Sequence, residues 1–416
     1  MKLKNMHLSN FRCYEELNIA FDPSFNILLG INGTGKTAIL EAIRIAIGSL
    51  FSELDKVENK ISSPNIATED VRLHNGEKQY EVQIKSSIEV EEYLNPESYQ
   101  NIEWSRFVKQ LGGNTRYDNP KDIKTVSEEI QSIIRKGEVK TIPLIAYYST
   151  DRFKKEKKNT GLNSDGSRLR GYYNALDSTT NTWFFLNIYK TETLWELQHD
   201  KKSELLTAVN GAVMACVDDC KKIYHDVKED QLIIQLSNDE FIPFHMLSDG
   251  VRSVLAMVME LAFRSYLLNP HLAGDAPLKT NGIVLIDEID LHLHPEWQKK
   301  IVNDLITAFP SIQFIVTTHA PLVVGSLKNG EIFCIKDKQA YDFPIQYGKD
   351  ANSILNVMGT DEMDRQLKNK LNNYYLLIEG GQGKTHDAYL LRTELEDRLG
   401  KDHSELQRAD MMLSFF

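Results

Sequence analysis

The stretch Gly30-Ile31-Asn32-Gly33-Thr34-Gly35-Lys36-Thr37 fits the pattern G-x-x-x-x-G-K-[ST] at every fixed position. Before it, Phe25-Asn-Ile-Leu-Leu29 is a short apolar run of strand character. After it, Ala38-Ile-Leu-Glu-Ala-Ile-Arg-Ile-Ala-Ile47 is a strong helix former. Strand, glycine loop and helix together are the context in which backbone N–H groups close around phosphate oxygens. The dipole of the helix start adds to the attraction for an anion. The residues set against a nucleoside triphosphate are therefore Asn32, Gly33, Gly35, Lys36 and Thr37. Lys36 reaches the β- and γ-phosphates, and the Thr37 hydroxyl is a ligand for Mg²⁺. A glycine-rich turn that happens to carry a lysine is the plain alternative, and both flanks argue against it.

Two more segments belong with this loop. Asn281-Gly-Ile-Val-Leu-Ile286 is an apolar strand ending in Asp287-Glu288. In a phosphate-loop site such a pair divides the work: Asp287 holds Mg²⁺ and Glu288 polarises the attacking water. A third strand, Ile312-Gln-Phe-Ile-Val316, runs into Thr317-Thr318-His319. Continuous apolar runs separated by helical stretches predict a parallel sheet covered on both faces. Leu247-Ser-Asp-Gly-Val-Arg-Ser253 precedes a helix expected over Val254–Leu268. Ser248 suits the N-cap there, and Gly250 leaves N–H groups open to an anion.

In this order (phosphate loop, long insertion, capped helix, Asp-Glu strand, histidine) the motifs resemble those of ABC-type ATPases. The capped helix corresponds to their signature, whose start contacts the γ-phosphate held by a second subunit. Leu285-Ile-Asp-Glu-Ile-Asp-Leu-His-Leu-His-Pro295 resembles the form found in the SMC, RecF and OLD branch, and Asn10-Phe11-Arg12 resembles the habitual N-terminal motif of that branch. The resemblance implies ATP and Mg²⁺ as cofactors, with Arg12, Ser248 and Gly250 at the nucleotide. It implies His319 beside the γ-phosphate and Asp290 in a segment crossing a dimer interface. His319 as an ordinary strand-end residue is the bland alternative. His292 and His294 suggest a metal pair on paper, but they precede a helix start at Pro295 and read as surface or interface residues. Two departures stand out: Asp249 and Val251 replace the glycine and glutamine of the transporter-type signature, and no glutamine sits where the Q-loop belongs, the end of Tyr147-Tyr148-Ser149-Thr150-Asp151-Arg152 being the candidate replacement.

The resemblance narrows further. Ile142–Arg152, Arg170-Gly-Tyr-Tyr-Asn-Ala-Leu-Asp177, the Leu247–Ser253 segment and the closing Leu395–Arg408 are similar to the PtuA-like ATPases of Septu and retron anti-phage systems. That family implies a homodimer or higher oligomer formed through the ATP sites. It also implies a partner HNH nuclease of the PtuB kind, with contact to DNA or to a retron RNA–DNA hybrid as a further option.

The expected fold class is thus an α/β P-loop NTPase: an ABC/SMC-type ATPase head with an inserted α+β lobe and a helical C-terminal tail. The head is placed at 1–345, with the inserted lobe at about 50–140 and a helical lobe at about 165–230; residues 346–416 form the helical interaction segment. Length fits, since 416 residues suffice for two or three domains. No apolar run nears the roughly 18 residues of a membrane span, and the N-terminus lacks the apolar core of a secretory signal. Four scattered cysteines, Cys13, Cys216, Cys220 and Cys334, make neither a disulfide framework nor a metal set, so a bacterial cytoplasmic setting is expected. A net charge of -11 argues against a surface that is basic all over. Arg152–Lys158 is the densest basic run, open to phosphate binding or to a solvated loop.

Glu379-Gly-Gly-Gln-Gly-Lys-Thr385 imitates a second phosphate loop, but Ile378 stands at the first required glycine. The same stretch imitates the start of a Toprim nuclease, whose further metal-binding carboxylates have no counterpart downstream. A loop and helix of an interaction tail is the better reading. A RecF/SMC-like DNA-repair ATPase is the second functional class, disfavoured by the acidic charge and by the lack of a long heptad run. A transporter subunit is the third, disfavoured by the signature.

Overall fold

The computed structural model describes residues 1–413 except 56–60, 95–100, 111, 154–166, 178–181, 218–219, 350, 359–364 and 402. The chain divides into two compact units, Met1–Lys349 and Asp350–Phe416.

The first unit is built on two large sheets. A six-stranded sheet carries β3 (Phe25–Leu29), β9 (Leu144–Tyr148), β13 (Gly282–Ile286), β14 (Ile312–Thr318), β15 (Glu331–Lys336) and β16 (Gln339–Asp342), in the order β16-β15-β3-β14-β13-β9. All are parallel except β16, which folds back on β15 as a hairpin. β3, β9, β13 and β14 have every residue buried, as expected of strands covered on both faces. The second sheet is antiparallel, with β1 (Lys2–Phe11), β2 (Tyr14–Ala20), β6 (Val82–Glu89), β7 (Asn101–Val108) and β8 (Arg116–Asp118) in the order β2-β1-β6-β7-β8. A small hairpin, β4 (Leu73–His74) and β5 (Glu77–Lys78), hangs beside it.

Helix α1 (Lys36–Ile47) packs between the two sheets, touching β1 and β6 on one side and β13 and β14 on the other. Its Ile39, Leu40, Ile43 and Ile47 are fully buried, each contributing about 1.5–3 kcal/mol on area grounds. Gln313 of β14 joins the sheets directly: its amide donates to the Leu3 carbonyl (2.9 Å) and accepts from the Leu3 N–H (2.7 Å).

The segment 50–140 is less separate than a lobe inserted into the head. β6 pairs with β1 along its length, and β7 and β8 extend the same sheet, so they complete what the N-terminal strands begin. Helix α2 (Lys121–Lys136) ends at Gly137 in the left-handed conformation.

Residues 165–230 are also not helical throughout. α3 (Thr182–His199) and α4 (Glu204–Cys216) are helices, but β10 (Cys220–Asp226) begins a three-stranded antiparallel sheet with β11 (Gln231–Leu236) and β12 (Phe241–Pro243). The Asp226 carboxylate accepts from the N–H groups of Lys228 and Glu229 and so closes the turn that a helical reading passes over.

Helix α5 (Asp249–Leu268) runs from the signature segment into the core. Arg264 forms a buried pair with Glu260 at 2.7 Å and donates to the carbonyls of Gly171 and Tyr173. A Cβ at Gly171 would lie 2.4 Å from Leu268, so the Arg170–Asp177 stretch is fitted against this helix. Short helices α6 (Ala276–Lys279), α7 (Pro295–Gln298), α8 (Ile301–Ala308) and α9 (Pro321–Val324) connect the remaining strands.

The second unit contains α10 (Ala351–Met358), α11 (Arg365–Glu379), α12 (His386–Leu399) and α13 (Ser404–Leu413). Leu371, Tyr374, Ile378, Ala388, Leu395, Leu406 and Ala409 make its own small core. Leu376–Glu379 is the end of α11, and Thr385 caps α12, its hydroxyl accepting from Ala388 N–H. Both a phosphate loop and a Toprim start follow a strand, and here a helix stands in its place.

Candidate ATP site

Strand register gathers the motifs. Leu29 of β3 pairs with Thr318 of β14, Val316 of β14 with Ile286 of β13, and Ile286 with Tyr148 of β9. The strands end together, so Gly30, His319, Asp287 and Ser149 emerge on one edge. That C-terminal edge is where open α/β sheets present ligand sites.

The loop has the shape of an anion cradle. Gly33 and Gly35 sit at φ +82° and +105°, where L side chains are strained. A Cβ at Gly35 would fall 2.5 Å from the Tyr14 hydroxyl and 2.6 Å from Cys13 Sγ. Lys36 is buried, and its ammonium donates to the loop carbonyls of Gly30 (2.7 Å) and Ile31 (3.0 Å). Burial lowers its pKa, against the opposing pull of Glu288, Asp287 and Asp290. Gly33 has open space around it and Asn32 is exposed, so the face that a triphosphate requires is accessible.

Thr37 donates to both oxygens of Asp287, at 3.2 and 3.0 Å. A threonine hydroxyl with an adjoining carboxylate is an oxygen donor set suited to Mg²⁺. Asp287 is buried; Thr317 donates to its Oδ1 at 2.6 Å, and its own N–H donates to the Tyr148 carbonyl at 2.8 Å. Glu288 has φ +47°, the left-handed region for a residue with a side chain. Thr318 donates to Asp290 at 2.5 Å, and Asp290 lies 3.3 Å from His319 Nδ1. His319 is half exposed. His292 and His294 belong to no metal-binding group among the described residues.

Arg12, itself at φ +50°, is held by Asp70: its Nε donates to Oδ1 at 2.7 Å, and its N–H donates to the Asp70 carbonyl at 2.7 Å. Glu41 on α1 approaches the same guanidinium at 3.9 Å. Arg12 thus lies beside the loop through Cys13 and Tyr14, with buried Asp70 as its anchor.

Ser248 occupies the N-cap position of α5, but its hydroxyl makes no cap hydrogen bond, which departs from the capping expected of it. It is exposed. Gly250 is buried, and a Cβ there would lie 2.2 Å from the His292 carbonyl oxygen. Packing alone therefore calls for the glycine. The Tyr147–Arg152 segment has a defined start, with the Tyr147 hydroxyl donating to Glu41 at 2.9 Å and Asp151 N–H to Ser149 Oγ at 3.0 Å. The run 154–158 lies outside the described residues.

Sequence reading passed over Asp70, Glu41, Thr317 and Thr318. Only the last two left a signal: two hydroxyl residues ending an otherwise apolar strand just before His319.

Fold and site define a P-loop ATPase with an ABC/SMC-type head. A family model described as AAA domain matches residues 5–221, and the chain belongs to that family. It is similar to the Retron Vc95 probable ATPase of Vibrio cholerae serotype O1 biovar El Tor, 26% identical over 92% of this chain and 84% of that protein. The Retron Ec83 probable ATPase of Escherichia coli is 25% identical, covering 98% and 85%. Septu protein PtuA of Bacillus thuringiensis is 27% identical, covering 86% and 85%. The resemblance to PtuA-like ATPases is borne out by these relatives. A solved SMC head domain from Thermotoga maritima aligns with 83% of this chain and 99% of that one, at 15% identity and a TM-score of 0.44. No helix among the described residues is long and apolar enough to cross a membrane.

Proposed function

We propose that this chain is the regulatory ATPase of an anti-phage defence complex, and that two copies close around ATP to control a partner HNH nuclease. The observation that carries the shared-site part is Ser248. Its exposed hydroxyl is left unused by its own helix, at the start of a 20-residue α-helix whose dipole favours an anion. The relatives' names, Septu and retron, support the defence setting.

In this reading Gly33, Gly35 and Lys36 cradle the phosphates, Asn32 and Arg12 flank them, and Thr37 and Asp287 hold Mg²⁺. The ion supplies charge neutralisation on the β- and γ-phosphate oxygens. Lys36 leaves the Gly30 and Ile31 carbonyls for the phosphates. Glu288 orients and polarises the attacking water, and His319, steadied by Asp290, faces the γ-phosphate. Ser248 and Gly250 of the partner copy complete the pocket from the other side.

The test uses Glu288→Gln and Ser248→Arg. Glu288→Gln is expected to bind ATP, lose turnover and accumulate a dimer in light scattering. Ser248→Arg is expected to bind Mg-ATP as a monomer and fail to pair. Wild-type turnover in Glu288→Gln would sink the role given to Glu288, and ATP-driven pairing in Ser248→Arg would sink the shared-site reading. Co-purification of a nuclease with the native chain tests the partner.

A further inference from the structure

We infer that Thr317 is the positioning residue that fixes Glu288 in its working geometry, an inference that rests on Glu288 as the water-orienting carboxylate proposed above. Glu288 is bent into the left-handed region at φ +47°, where a residue with a Cβ persists only if its surroundings hold it. The Glu288 carbonyl accepts the Leu291 N–H at 3.0 Å, and on the strand side the residue is held by Thr317. Thr317 Oγ1 accepts the Glu288 N–H at 2.7 Å, and the Thr317 carbonyl accepts the Ile289 N–H at 3.0 Å. The same hydroxyl donates its proton to Asp287 Oδ1 at 2.6 Å. One buried hydroxyl thus spends its donor on the Mg²⁺-site carboxylate and its acceptor on the backbone of the next residue.

The geometry explains why a threonine stands there. β14 lies between β3 and β13, so among the described strands its end is the one adjoining both the phosphate loop and the Asp-Glu turn. A β-branched side chain has few χ1 choices, which fixes where the hydroxyl points. Valine keeps the shape and loses both hydrogen bonds. Serine keeps the hydroxyl and gains rotamer freedom. The carboxylate of Glu288 acts on water only if its backbone turn is held, because small displacements of a catalytic group are costly.

Thr317→Val and Thr317→Ser are compared in the full chain by three readouts: steady-state ATPase kinetics, fluorescent ATP-analogue binding without metal, and Mn²⁺ binding to the nucleotide complex by electron paramagnetic resonance. Valine is expected to lower kcat about ten- to a hundred-fold, leave metal-free nucleotide affinity unchanged, and weaken Mn²⁺ binding. Serine is expected to restore most of both. Where the valine chain fails to accumulate folded, Thr317→Ala makes the same comparison without setting a methyl group against the Asp287 carboxylate. Wild-type kcat and Mn²⁺ affinity in a folded valine or alanine variant would overturn the inference, provided Glu288→Gln is inactive. An active Glu288→Gln would instead overturn the role of Glu288 itself.

Discussion

The backbone of Gly250 rests against the carbonyl of His292, so close that a methyl group on Gly250 would stand 2.2 Å from that oxygen. The start of α5 is thereby seated on the turn that follows Asp287-Glu288 in the same chain. A helix end proposed to face one nucleotide is thus in direct contact with a turn proposed to serve another. Gly250→Ala forces a shift in backbone that is not free to yield. A loss of about 1–3 kcal/mol in folding stability is expected, seen as a lower urea midpoint. ATP-driven pairing should weaken as well.

Lys36 gives a pH-dependent prediction. Its pKa is lowered by burial in the loop, so over the window between that lowered value and its ordinary one the folded chain binds fewer protons than the unfolded chain. The unfolded state is then the proton-richer one, so this group makes stability rise with pH across that window. Phosphate binding needs the ammonium, so ATP binding there takes up a proton and affinity falls as pH rises. Calorimetry in two alkaline buffers of different ionisation enthalpy should reveal the uptake. Lys36→Ala should weaken nucleotide binding and abolish the uptake.

Asp70 anchors Arg12 while its second oxygen accepts the Ala67 N–H at 2.9 Å. Asp70→Ala removes both, leaving the part-buried Ala67 N–H without this acceptor. A stability loss of about 1–3 kcal/mol is expected, together with weaker ATP binding because Arg12 is no longer held beside the loop. Arg12→Ala should reproduce the binding loss with a smaller stability change. Equal ATP affinity in both variants and the wild type would remove Arg12 from the nucleotide site.

How much was legible follows from where information sits along the chain. Gly30–Thr37, Asp287 and Glu288 announce themselves because a local strand, a turn and two special residues are contiguous. The parallel strands were legible for the same reason, as β3, β13 and β14 are short, mainly apolar runs. Pairing is not local: nothing in Val82–Glu89 says that it hydrogen-bonds to Leu3–Ser9. Asp70 acts on Arg12 across 58 positions and leaves no motif. Ser248 occupies the expected cap position yet makes no cap bond, since residue type fixes what a side chain is able to do and its neighbours decide what it does.

The C-terminal unit permits a test of independence. Leu406 is fully buried in a small core that, among the described residues, lies within Asp350–Phe416, and the Tyr375 hydroxyl donates to Glu405 at 2.7 Å beside it. Leu406→Ala should cost about 2–5 kcal/mol, a large fraction of what so small a core supplies. Calorimetry is expected to show a separate low-temperature transition for this unit. Binding of ATP by the head should persist, because Lys36, Thr37, Asp287 and Glu288 all belong to Met1–Lys349. If the tail holds the proposed nuclease, its capture should fail while nucleotide binding survives. Simultaneous loss of ATP binding would show that the two units fold as one.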